Sequence, residues 1–182
     1  MKSKYFHAII FVILISNFAH GQIQSPSAGG SLHLGNISGN SPSVTSLGAS
    51  VFIDFFPWFE NDVSFRVSYS YSQKVEYFLP ENRTGRYYPF IKFLSLRGFI
   101  RQDFSYPFYL EEGAGLIYLN DRTFGDVNVW EIGTSFAAMI GYDFRKVNTN
   151  GFSIGLGIDY GITFTKTTAS YSIFFLQSQY YF

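Results

Sequence analysis

The clearest hydrophobic pattern in the chain is a strict alternation over residues 151–165. The even-numbered positions from Phe152 to Phe164 are all apolar, whereas the odd-numbered positions are all glycine, serine, threonine or aspartate. Because side chains alternate between the two faces of a β-strand, this segment predicts a strand with one bulky apolar face and one small, polar face. Its length exceeds the roughly 5–6 residues of a typical soluble strand and suits the roughly 9–11 residues of a tilted membrane-spanning strand.

The same alternation recurs along the chain and predicts eight strands. Residues 63–72 repeat it most regularly, with valine, phenylalanine and tyrosine on one face and serine with Arg66 on the other. Clusters of glycine, proline, asparagine and aspartate interrupt the pattern between strands, as expected for turns. The predicted strands cover residues 31–38, 44–56, 63–72, 88–102, 107–119, 130–144, 151–165 and 170–182, of which the first is the weakest.

An even number of strands returns the chain to the side on which it started, so the connections alternate between two sides. The two longest connections, residues 73–87 and 120–129, both fall opposite the termini. Outer-membrane barrels likewise have short periplasmic turns and longer outer loops. Because lipid cannot hydrogen-bond an open strand edge, a membrane sheet must close. We therefore predict an all-β, antiparallel, up-and-down transmembrane β-barrel of eight strands.

Residues 1–21 have the pattern of a secretory signal peptide. Two lysines precede an apolar run over residues 5–18, and the small residues Ala19 and Gly21 suit cleavage directly after the latter. The alternative is an uncleaved anchor helix, but the apolar run is shorter than the roughly 18–20 residues that such a helix needs. We predict that the signal peptide is cleaved and that residues 22–182 form one barrel domain.

The composition narrows the classes of function. Aromatic residues make up 21% of the chain and charged residues only 14%, well below the roughly 25% of soluble domains. The formal net charge is zero, so no basic patch indicates a nucleic-acid partner. The chain has no cysteine, which excludes disulfides and thiolate metal sites.

The last predicted strand has a distinctive ending. Leu176, Tyr180 and Phe182 share its apolar face, and the chain ends on the last of them. This ending is similar to the C-terminal signal of outer-membrane barrels. With the signal peptide and the strand count, it makes the chain resemble the small OmpA/OmpX-type outer-membrane barrel proteins over nearly its whole mature length. The resemblance implies a location in the outer membrane, contact with its lipid, and recognition of these three residues by the barrel assembly machinery.

Charged residues on the inward-facing side of the predicted strands form the candidate site. The alternation places Asp54, Arg66, Arg97, Arg101 and Glu111 on four successive strands, all pointing into the lumen. Because an unpaired charge in a narrow, low-dielectric interior is costly, we predict that the five residues form a buried network that plugs the barrel. The alternative is that they line a gated conduit or a ligand site.

Other polar residues indicate little specific chemistry. Glu111 and Glu112 are adjacent, so one must face the apolar side unless a β-bulge turns it inward. His33 is the single histidine of the predicted mature chain, and no spacing selects a serine beside it as a nucleophile. The chain has no histidine pair, phosphate-binding loop or calcium loop, so we expect no metal, no cofactor and no catalytic residue.

Three classes of function remain open. The first is a structural or surface-interaction barrel, a monomer with no enzymatic activity, whose outer loops contact a partner. The second is a narrow transport or ligand-binding barrel, and the third is a lipid-modifying enzyme. A soluble lipocalin-like barrel is the rival fold, but it would bury its apolar residues inside around a ligand, whereas here the small and charged face suits the lumen.

Overall fold

Each strand of this protein pairs with its neighbours in the sequence, and the last also pairs with the first. The computed structural model describes residues 26–58, 63–82, 87–146 and 150–182. Its strands are β1 (Ser27–Ser38), β2 (Val44–Trp58), β3 (Val63–Lys74), β4 (Phe90–Ser105), β5 (Phe108–Arg122), β6 (Val129–Asp143), β7 (Gly151–Thr163) and β8 (Ser170–Tyr181). All pairings are antiparallel, and the β8–β1 pairing closes the barrel. The predicted eight-stranded up-and-down barrel is confirmed.

The two ends of the barrel differ. The terminal end carries the first residue of β1 and the last residue of β8, together with short connections such as the two residues between β4 and β5. The loop end carries the connections at residues 39–43, 75–89, 123–128 and 164–169, the longest of which contains two short 3₁₀ turns. No helix in the described part of the chain is long and apolar enough to cross a bilayer. The predicted signal peptide lies outside the described residues.

The first strand is longer than its sequence pattern predicted, since it begins at Ser27 rather than at residue 31. The added residues include two glycines, which have no side chain to reveal an alternation. Gly29 is needed for close packing, because a Cβ there would lie 2.3 Å from the Ser178 carbonyl oxygen of β8. The glycine-containing start of β1, which shows no alternation in the sequence, is therefore also the part that lets β1 pack closely against β8.

The outer face of the barrel is an apolar band bounded by aromatic residues. Large apolar side chains such as Leu32, Leu156 and Phe174 are exposed on it, as the alternation predicted. Ring contacts run along the terminal end, between Phe108 and Tyr142, between Phe152 and Tyr180, and between Tyr180 and Phe182. At the loop end, Tyr118 stacks on Trp130 with ring centroids 4.7 Å apart. An apolar band between two aromatic girdles is typical of transmembrane barrels.

Small residues face inward because large rings from other strands occupy the lumen. A Cβ on Gly141 would lie 2.1 Å from the Tyr109 ring, and one on Gly161 would lie 2.4 Å from the Tyr171 ring. The alternation of small and bulky residues therefore has two causes. Lipid favours bulky apolar residues outside, and at these two positions a lumenal ring lies where the neighbouring strand has no side chain.

Candidate functional site

The most highly connected residue of the lumen is Arg66, at the terminal half of the barrel. Cross-strand pairing places it opposite Asp54, and its Nε donates to Asp54 Oδ1 at 2.6 Å. Its Nη2 donates to the second oxygen of Asp54 at 2.8 Å and to Glu111 Oε1 at 2.9 Å. The guanidinium also lies 4.2 Å from the ring centroids of Phe52 and Phe99. This arginine is therefore held by two carboxylates and two aromatic faces.

Neutral side chains from the closing strands complete this cluster. Gln179 of β8 donates to Asp54 Oδ2 at 2.7 Å and to the Ser27 hydroxyl at 2.6 Å. Gln177 accepts a hydrogen bond from Arg66 at 3.2 Å. The contacts join β1, β2, β3, β5 and β8 across the lumen. They link strands that are not neighbours in the sheet and so resist separation of the wall.

The other two predicted arginines find partners that the sequence analysis did not name. Arg97 forms an ion pair with Asp159 of β7 at 2.6 Å and donates to the Tyr171 hydroxyl at 3.1 Å. Arg101 forms ion pairs with Asp143 at 2.8 Å and Asp103 at 3.1 Å, and donates to the Tyr181 hydroxyl. A fourth arginine, Arg145, shares Asp143 with it at 2.6 Å. The structure therefore brings Asp54, Arg66 and Glu111 together, and leaves Arg97 and Arg101 in three further ion pairs.

The alternation of inward and outward positions could have revealed the two carboxylates that the sequence analysis missed. Asp159 and Asp143 both occupy small-face positions of predicted strands, at the same places in the pattern as the five predicted residues. The pattern gives the face of a residue but not the distant strand that it reaches across the lumen. Arg145 lay in a predicted turn, where no face could be assigned.

The structure settles which of the two adjacent glutamates faces the lumen. β5 pairs regularly with both neighbours at this point, without a bulge. Glu111 is buried with 3% of its surface exposed, and its Oε2 atom has no hydrogen-bond partner among the described residues. Glu112 lies on the opposite, outward face of the same strand, beside Ile100 and Ala138.

The loop half of the lumen is filled differently, by an apolar layer that the sequence analysis missed. The Phe93 ring stacks on the Tyr171 ring with centroids 4.5 Å apart. The layer consists of Ile37, Ile91, Phe93, Ile117, Leu119, Ala169, Tyr171 and Ile173. Small residues and charges were expected on the inward face of almost every strand, and this expectation fails at the positions of the apolar layer. Around Ile117, both faces of β5 are apolar, so the alternation that revealed the other strands disappears there.

Between the two layers lies a small cavity lined by both polar and apolar side chains. Its lining includes Ser31, Ser50 and Ser70 with the buried His33. His33 Nε2 lies 2.7 Å from the Ser72 hydroxyl, a pairing that the sequence could not reveal because the residues belong to different strands. A histidine beside a serine is the arrangement that acyl transfer requires. Here both side chains are enclosed in the lumen, away from the lipid-facing surface.

The three residues of the predicted assembly signal lie on the outside of the barrel. Leu176 and Phe182 are exposed, and the Tyr180 ring lies between those of Phe152 and Phe182. They follow the outward face of β8 to the terminal end. Their recognition by the assembly machinery stays a prediction.

The described residues contain no group of three histidine, aspartate or glutamate side chains that could hold a metal ion. Their polar side chains are instead linked to one another, as in the Arg66 cluster.

The geometry matches solved barrels of known location. The protein is similar to the Neisserial surface protein A (NspA), with a TM-score of 0.69 and 12% sequence identity over 86% of this chain and 97% of that one. It has the fold of the small eight-stranded outer-membrane barrels. Ail, the attachment invasion locus protein of Yersinia pestis, is also similar, with a TM-score of 0.55 and 12% identity over 88% of this chain and all of Ail. No protein-family model and no curated protein sequence matches the chain.

Proposed function

We propose that the protein is an integral outer-membrane barrel with a closed lumen, whose role is structural or surface-interacting through its outer loops. The observation that carries this proposal is the filling of the lumen by two layers in series. The Arg66 cluster and its neighbouring ion pairs fill the terminal half, and the apolar layer around Phe93 fills the loop half. A barrel filled in this way offers its loops and its outer wall, rather than a channel, to other molecules.

The location in the outer membrane is supported by the apolar band and its two aromatic girdles, and by the shared fold. Cell fractionation tests it. We expect the mature chain to begin near Gln22 and to be recovered with the outer membrane as a barrel whose gel mobility changes on heating. Recovery as a soluble periplasmic protein that needs no detergent would contradict the proposal.

The closed lumen is tested by recordings in planar bilayers. We expect no steady ion conductance from the wild-type protein, because each layer alone blocks the path. Arg97→Ala and Glu111→Ala each disturb the ionic layer and leave the apolar layer in place, so we expect both variants to stay silent. An open porin in the same bilayer serves as the control for detection. Steady wild-type conductance that changes in either variant would instead support a conduit.

The loop end offers a surface for a partner. Tyr77, Phe78 and Leu79 follow one another in the β3–β4 connection, and more than 40% of each side chain is exposed. Exposed apolar residues in a cluster commonly mark an interaction site. Ail, which its name describes as an attachment protein, shares the fold. Replacing these three residues by serine should lower the attachment of producing cells to host-cell layers. The amount of folded barrel at the surface, measured in parallel, is the control.

The cavity with His33 supports the second candidate, a barrel that binds a small polar ligand. Catalysis is the least supported role, and we propose that the protein is not an enzyme. Ser72→Ala removes the hydroxyl that lies 2.7 Å from His33 Nε2 and should leave the acyl composition of the outer-membrane lipids unchanged. A change in that composition, with the barrel still folded, would favour a lipid-modifying enzyme.

A further inference from the structure

A carboxylate faces outward from the middle of the lipid-facing band. Glu112 of β5 lies between Ile100 of β4 and Ala138 of β6 on the outer wall. Along its own strand, Phe108 and Tyr118 mark the two aromatic girdles. Glu112 is four residues from Phe108 and therefore lies roughly 10 Å above its level on a tilted strand, near the middle of the band.

The barrel itself gives this carboxylate no partner. No hydrogen bond or ion pair joins the Glu112 side chain to another residue in the part of the chain that the structure describes. Lipid tails cannot supply one, and a polar group without a hydrogen bond in hydrocarbon is costly. The adjacent Glu111 is paired with Arg66 at 2.9 Å. Since none of the described residues pairs with Glu112, its environment points to a partner on a second molecule.

Packing within a single barrel also does not require the glycine that lies beside Glu112. Gly98 lies on the outer wall opposite Ala114, and a Cβ there would meet only a Phe65 ring carbon at 4.0 Å. At the lumenal Gly115, by contrast, a Cβ would fall 2.1 Å from a backbone oxygen. Glycine weakens a strand and often marks a place where another backbone approaches closely. The barrel has room for a side chain at position 98. Gly98 therefore indicates that another molecule approaches this position from outside the barrel.

We propose that a second copy of this chain docks on the face formed by Gly98, Glu112, Ala114 and Ala138, about a twofold axis that brings the two Glu112 side chains together. Small residues let two membrane-embedded surfaces approach closely. Two carboxyl groups that share a proton form a hydrogen bond with each other. The Glu112 side chain can therefore pair with the Glu112 side chain of a second copy. Twofold interfaces require such self-complementarity and are the commonest in homo-oligomers. The proposal replaces the monomer expected from the sequence.

Association of the folded chain in phosphatidylcholine vesicles tests the proposal, measured by energy transfer between dye-labelled copies over a range of protein-to-lipid ratios. Glu112→Leu removes the hydrogen-bonding group and Gly98→Leu blocks the approach, so each should weaken dimerisation roughly tenfold. Glu112→Gln should keep the dimer, because two amides also hydrogen-bond to each other. Ala49→Leu, a small-to-large change on the outer face of β2, is the matched control and should have no effect.

Two results of the energy-transfer experiment overturn the proposal. One is energy transfer by the wild-type protein that never exceeds the value for unassociated copies, and the other is a dimer that survives both leucine variants. If a leucine variant fails to fold, crosslinking decides, because the natural chain contains no cysteine. Ile100→Cys, beside Glu112, should crosslink between copies more than Leu176→Cys on β8. Equal or reversed crosslinking contradicts the twofold face.

Discussion

The terminal and loop halves of the lumen are built on the same strands, but the main cluster is ionic in the terminal half and apolar in the loop half. In the terminal half, Arg66 is held by Asp54 and Glu111, and each of these side chains is almost fully buried. In the loop half, apolar side chains such as Phe93 and Ile117 fill the same narrow interior. The closed barrel therefore does not dictate how its lumen is filled.

The two solutions differ in how specific they are. A buried ion pair offsets its desolvation cost only with good geometry and further hydrogen bonds, so each member depends on the others. An apolar layer depends on the total volume and the shape of its side chains, and it tolerates substitutions that keep both. Even a buried carboxylate of the loop half, Glu131, is held by neutral donors, since Thr163 Oγ1 donates to it at 2.7 Å and the Thr167 amide donates to it at 2.6 Å.

The largest effect is expected from Arg66→Met, which keeps most of the side-chain volume and removes the charge. Asp54 and Glu111 would then be left buried without their guanidinium. Removing one partner of a buried ion pair typically costs about 3–5 kcal/mol, and we expect a loss of this size in the free energy of unfolding. Urea-induced unfolding in lipid vesicles, followed by tryptophan fluorescence, measures it.

Lys74→Met is the matched control for this variant. Lys74 and Glu76 form an ion pair at 2.9 Å, but both side chains are partly exposed at the loop end. Exposed pairs contribute about 0–1 kcal/mol, so this variant should unfold almost as the wild type does. Equal losses in the free energy of unfolding for the two variants would show that burial does not determine how much an ion pair stabilises the barrel.

The difference between the halves also explains what could be predicted from the sequence. The alternation in β3 and β7 gave the strands, their faces and the inward position of Arg66, because small and bulky residues separate cleanly there. The same rule could not detect the apolar layer, since Ile117 and Leu116 are both apolar although one faces the lumen and the other faces outward. Pairing across the lumen, such as Arg97 with Asp159, depends on barrel closure and side-chain reach, neither of which is a local property of the sequence.

A smaller effect is expected from Thr163→Val, which tests Glu131, a buried carboxylate of the loop half. The variant keeps the shape of the side chain but removes a hydrogen bond to Glu131. Hydrogen bonds to charged groups contribute about 1.5–3 kcal/mol, and we expect a loss within this range in the unfolding free energy. Thr163→Ser retains the hydroxyl and should recover most of it. Equal losses in both variants would assign the effect to packing rather than to the hydrogen bond.

The smallest effect is expected from Ile117→Val, which removes one methylene group from the apolar layer. Ile117 is fully buried in the lumen, so the loss should be about 0.5–1.5 kcal/mol in the same unfolding measurement. Ile117→Leu keeps the volume and should cost less than about 1.5 kcal/mol, because neighbouring apolar side chains can repack. The Arg66 cluster has no comparable freedom, since every donor there has a particular acceptor. A loss for Ile117→Val as large as that for Arg66→Met would mean that the two halves are equally specific, and the distinction between them would fail.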